Sequence, residues 1–173
     1  MTNQRPLMTG LFPDRASAEL GYNSLSDRGY TKDDVNLVMS EDTKKRHFTS
    51  GSTETELGSK AAEGAGVGGA IGGTVGAIAA AFVAVGTTVA IPGLGIFIAG
   101  PLAAAIAGAG AGAATGGLVG ALVGWNMPEE RVKQYDAGIR NGGILMGVRP
   151  KNDEDAKYFK SSWESNRAQD IYG

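Results

Sequence analysis

The chain has 173 residues, a formal net charge of -2 and a single histidine. It therefore has no basic field to hold nucleic acid, and His47 alone excludes a zinc site built on paired histidines. With no cysteine there is no disulfide, thiolate nucleophile, iron–sulfur ligation or acylated cysteine anchor.

The N-terminus, MTNQRPLMTGLF, lacks an apolar signal core, so no cleaved targeting peptide is expected. Leu7 to Phe12 is a short run with large apolar side chains on both faces, as in a strand in the middle of a sheet, and Pro13 ends it. From Asp14, a suitable N-cap, Ala18, Tyr22 and Leu25 follow at helical spacing until Gly29. Val35 to Met39 reads as a second strand, giving a βαβ unit with parallel strands and a right-handed crossover. Ser40 to Lys60 is polar and weakly periodic, which predicts a linker or arm.

From Gly64 to Gly124 no charged residue appears. Glycine recurs every fourth residue at Gly64, Gly68, Gly72 and Gly76, and again at Gly108, Gly112, Gly116, Gly120 and Gly124. On a helix this spacing makes a stripe with almost no side chain, along which a second backbone can approach. Each exposed glycine costs a helix about 1 kcal/mol relative to alanine, so the stripe predicts a partner helix or a membrane. Pro92 and Pro101 divide the block, predicting an antiparallel helical hairpin with arms over 63–90 and 102–125. Its expected tip comprises Pro92, Gly93, Leu94, Gly95, Phe97 and Pro101, and has no polar side chain suited to water. Each arm is long enough to cross a hydrocarbon core of about 30 Å, with Lys60 and Trp125 as anchors at one membrane surface. Two observations oppose insertion: the apolar tip, and a mean hydropathy of only -0.09.

After the block, Pro128 with Glu129 and Glu130 starts a helix whose buried side is Val132, Tyr135 and Ile139. Ile144 to Val148 is a third strand, apolar on both faces, and Asn152 caps a last helix that places Ala156, Phe159 and Trp163 on one side. The final residues are expected to fray. The reading is thus an α+β fold. Residues 1–40 and 126–173 form one discontinuous βαβ…αβα domain with a three-stranded mixed sheet; 41–60 is a polar arm, and 61–125 is the inserted Ala/Gly-rich hairpin.

The motifs LFPDRASAE, IPGLG with AGPLAAA, and PEE followed by GGILMGV resemble, in order, the general stress protein 17M-like family of bacteria, over Met8 to Arg149. The resemblance implies a stress-associated bacterial protein with no established catalytic residues.

Candidate chemistry is sparse. Gly64 to Gly69 matches G-x-G-x-x-G, but no strand precedes it and no acid follows to hold a ribose, so packing explains it better. His47 beside Lys44, Lys45 and Arg46 reads as a solvated loop with a secondary prospect of anionic lipid. Glu54, Glu56, Asp33, Asp34 and Asp153 to Asp155 lack a partner base, nucleophile or metal-ligand spacing, and Trp163 with Phe159 reads as core. No catalytic residue, cofactor or metal is expected. The expected function is self-association of a non-enzymatic protein at the cytoplasmic membrane with both termini cytoplasmic, or alternatively as a large soluble homo-oligomeric scaffold in the cytoplasm. A ligand-binding or enzymatic α/β domain is the remote third reading.

Overall fold

A computed structural model describes residues 5–48, 78, 82, 88–91, 93, 95–109, 122 and 127–173. In chain order these form β1 (Met8–Phe12), α1 (Arg15–Ser26), β2 (Val35–Ser40), α2 (Glu41–Phe48), β3 (Thr88–Ile91), β4 (Ile96–Ala99), α3 (Pro101–Ala109), α4 (Glu129–Arg140), β5 (Ile144–Val148), α5 (Asp153–Ser165) and β6 (Gln169–Tyr172). The strands make one six-stranded sheet in the order β3-β4-β2-β5-β1-β6. Every neighbouring pair is antiparallel.

The expected three-stranded mixed sheet is therefore corrected. β1 and β2 do run parallel, but β5 lies between them and pairs antiparallel with both, so no parallel ladder forms. Two further strands come from the stretch read as a helical hairpin. In IPGLGIFIAGP, Ile96–Ala99 pairs with β2 and then folds against Thr88–Ile91. Its β-branched and aromatic side chains suit a pleated strand, and the ladder satisfies backbone groups that an apolar tip would have left open. The tail supplies the sixth strand where fraying was expected.

Strand alternation sorts the core into two layers. On one face Met8, Phe12, Leu37, Met39, Phe97, Ile144 and Met146 pack with side chains from α1 and α5. On the other, Leu11, Val38, Ile96, Ile98 and Leu145 meet α4 and the start of α3. Helices thus cover both faces, which is why the strands carry apolar residues on both sides. Asp14 caps α1 by accepting from the Ser17 amide at 2.8 Å, and that bond holds its carboxyl below the usual range. Asn152 caps α5 through the Asp155 amide at 2.7 Å. Glu41–Phe48, within the segment expected to be a polar arm, is helical, and the Glu41 amide donates to the Gly95 carbonyl at 2.8 Å.

Candidate functional site

The glycine-rich stretch is held to the sheet at several points. Ile78 and Phe82 are fully buried in the layer beneath α1, with the Phe82 ring edge-on to Tyr22 at 5.7 Å between centroids. The Ile78 amide donates to Glu19 Oε2 at 3.2 Å. Ile91 and the whole of β4 are buried within the sheet, and Leu102, Ala103 and Leu122 enter the opposite layer. Phe97, expected at the hairpin tip, is 1 % exposed in β4.

The tightest attachment is the turn from β4 into α3. Gly100 has φ +98, and a Cβ there would overlap the Val35 carbonyl oxygen. Only glycine accommodates both the backbone conformation and the contact. Two residues on, Asn36 Oδ1 accepts from the Leu102 amide at 2.7 Å. A side chain of β2 thereby satisfies an amide that the first turn of α3 leaves without a helical acceptor, while Pro101 occupies the position where a missing N–H costs nothing.

Of the expected packing glycines, Gly108 lies in α3. Gly64, Gly68, Gly72, Gly76, Gly112, Gly116, Gly120 and Gly124 lie outside the described residues, as do Pro92, Leu94, Lys60, Trp125, Glu54 and Glu56. Gly93 and Gly95 form the turn between β3 and β4 with φ of +83 and +63, and Pro101 opens α3. Among the described residues no helix is long and apolar enough to cross a membrane, and no group of three His, Asp or Glu side chains is placed to hold a metal ion.

Two buried tyrosines organise polar networks that sequence reasoning missed. Tyr135 Oη donates to the Asp170 carbonyl at 2.7 Å and lies 2.8 Å from Thr9 Oγ1. With its one proton committed to the carbonyl, the phenol accepts from Thr9. The register between β1 and β6 shifts here, and Asp170 has φ 49, so Tyr135 satisfies the carbonyl at an irregularity in the edge strand. Burial pushes its phenol up to about 12. Tyr30 Oη donates to Asp155 Oδ2 at 2.7 Å and accepts from the Lys151 amide at 2.6 Å. Burial pushes this phenol up to about 12 as well, and the Asp155 carboxylate adds to the effect. Asp155 also meets Arg28 at 3.3 Å and Asn152 Nδ2 at 3.0 Å, so its oxygens are engaged within the fold. These partners are more than a hundred residues apart in the chain for Tyr30–Asp155 and Thr9–Tyr135, which leaves no local signal to find them by.

The remaining sequence candidates are dispersed. His47 is an exposed residue at the end of α2, where its backbone carbonyl accepts from Arg15 at 2.6 Å. Asp33 pairs with Lys32, Asp34 caps the Thr31 turn, and Asp153 pairs with Arg5. Trp163 is fully buried, edge-on to Phe12 at 5.5 Å. No family model, curated protein or solved structure matches the chain.

Proposed function

We propose that this is a non-enzymatic assembly protein, of the bacterial stress-associated kind its motifs resemble, that self-associates through its glycine-rich stretch. The observation that carries the reading is the anchoring of that stretch to β2 through Asn36 and at Gly100, within the uncharged sequence from Gly64 to Gly124. The sheet domain then acts as a rigid mount that presents the glycine-rich edges for packing.

The same anchoring favours the homo-oligomeric scaffold over a membrane-spanning hairpin. Ala103 and Leu122 enter one core layer, so the chain between them has both ends on one side of a bilayer and must cross it an even number of times or not at all. Two crossings need about 40 residues, more than this segment has. Segment 49–77, between Phe48 and Ile78 of the other layer, is also too short for two crossings of about 20 residues each. Association with the cytoplasmic membrane would then be peripheral.

Light scattering coupled to gel filtration tests the proposal. The wild type is expected as a defined oligomer, and Gly72→Leu and Gly116→Leu as smaller species, because leucine holds the backbones apart. A monomeric wild type, or variants with unaltered mass, would refute self-association through these glycines. Retention in the pellet after alkaline carbonate extraction would overturn the preference for a peripheral scaffold.

A further inference from the structure

A cavity of about 360 Å³ opens at the β6 end of the sheet, between the start of β1 and the first half of α5. It lies at the opposite edge from β3 and so is independent of the assembly surface. Its floor is apolar: Met8 is 3 % exposed, and Ile171 packs against the core from β6. Ala156 contributes only a methyl group from the helix above, which leaves the space open. The rim is cationic. Lys157 and Lys160 are three residues apart on α5 and therefore share a face.

Both lysines lack an ion pair among the described residues, for identifiable reasons. Asp153, the helical neighbour one turn before Lys157, is taken by Arg5, another residue of the lining. Glu164, one turn after Lys160, is not within bonding reach of it. The lining groups thus comprise three cations against the Asp153 carboxylate, which is paired with Arg5, and the main-chain carboxylate of Gly173, so the site remains net cationic. An apolar concavity beside two ammonium groups that are in no ion pair among the described residues matches a ligand with a hydrocarbon body and an anionic head. The volume falls at the low end of small-molecule sites, which span about 300–1,000 Å³, and so suits one tail rather than two.

We propose that this cavity binds a single-tailed anionic amphiphile, a fatty carboxylate of medium chain length, with the tail on Met8 and Ile171 and the carboxylate held by Lys157 and Lys160. The tail supplies apolar burial and the lysines supply charge-assisted hydrogen bonds.

Calorimetric titration of the full chain with decanoate, decanol and butyrate, below micellar concentrations, tests each part. Decanoate is expected to bind saturably at one site per chain, with decanol and butyrate each weaker by about tenfold or more, since each lacks one of the two contributions. The double variant Lys157→Gln/Lys160→Gln alters only exposed side chains and is expected to lose at least about tenfold in decanoate affinity while decanol binding stays unchanged. Ala156→Met, which fills the cavity, is expected to abolish both. Absence of saturable decanoate binding, equal affinity for decanol, or an unchanged affinity in the double variant would each overturn the proposal.

Discussion

Asn36 in β2 holds the amide of Leu102 in α3 through a 2.7 Å hydrogen bond, joining a central strand to a segment 66 residues further along the chain. Asn36 is 7 % exposed, so its replacement by alanine leaves a buried helix-start amide with no acceptor. Asn36→Ala is expected to lower stability by about 1–3 kcal/mol, read from the urea midpoint. An unchanged midpoint would mean that the bond contributes nothing to holding α3.

Gly100 and Gly93 separate two causes of glycine dependence. Both have positive φ, but a Cβ at Gly93 meets nothing within 4 Å, whereas at Gly100 it overlaps the Val35 carbonyl. Gly93→Ala is expected to cost about 1 kcal/mol from backbone conformation alone. Gly100→Ala adds the displacement of β2 and is expected to cost about 3 kcal/mol or more. Equal losses in parallel denaturation curves would argue against the close approach.

Phe82 distinguishes a docked glycine-rich segment from one that leaves the domain. Its ring is fully buried against Tyr22, so Phe82→Ala is expected to destabilise the sheet domain by about 3–5 kcal/mol. The readout is the loss of near-ultraviolet dichroism of the buried Trp163 on thermal unfolding. A wild-type transition would place the Phe82 side chain outside the core.

Tyr30 and Tyr135 make the fold sensitive to alkali. Their phenols rise from an ordinary value near 10 to about 12, so the folded chain holds these protons more tightly than the unfolded chain does. The resulting stabilisation is complete below pH 10 and is lost as pH rises through 12. Absorbance at 295 nm should show the two tyrosines ionising last or together with unfolding, and Tyr135→Phe should remove one of the late steps. Ionisation of both near pH 10 in folded protein would contradict the buried networks.

Tyr135→Phe also isolates the bond to the edge strand. It strips the partner from Thr9 Oγ1 and from the Asp170 carbonyl, and is expected to cost about 1–2 kcal/mol, with faster amide exchange in β6 than elsewhere in the sheet. Uniform exchange would show that β6 does not depend on Tyr135.

Several elements were legible because their signals are local. Leu7 to Phe12, Val35 to Met39 and Ile144 to Val148 carry apolar residues on both faces, and β1, β2 and β5 occupy the interior of a sheet covered on both sides. Asp14 and Asn152 announce their helices through side chains that reach amides three residues ahead. By contrast, Ile96–Ala99 is a four-residue apolar run between a turn and a proline, equally readable as the end of a helical hairpin. Its assignment depends on pairing with Leu37–Ser40, almost sixty residues earlier. Gln169–Tyr172 is polar and half exposed, and only its ladder with β1 makes it a strand.

Composition and spacing alone determined that this chain has both-sided strands, capped flanking helices and a long uncharged glycine-rich stretch. Tertiary structure decided that part of this stretch would be buried in the sheet. Hydrogen bonds from β2 to β4 and from Asn36 to Leu102 satisfy its backbone within the domain, and those partners become neighbours only once the chain has folded.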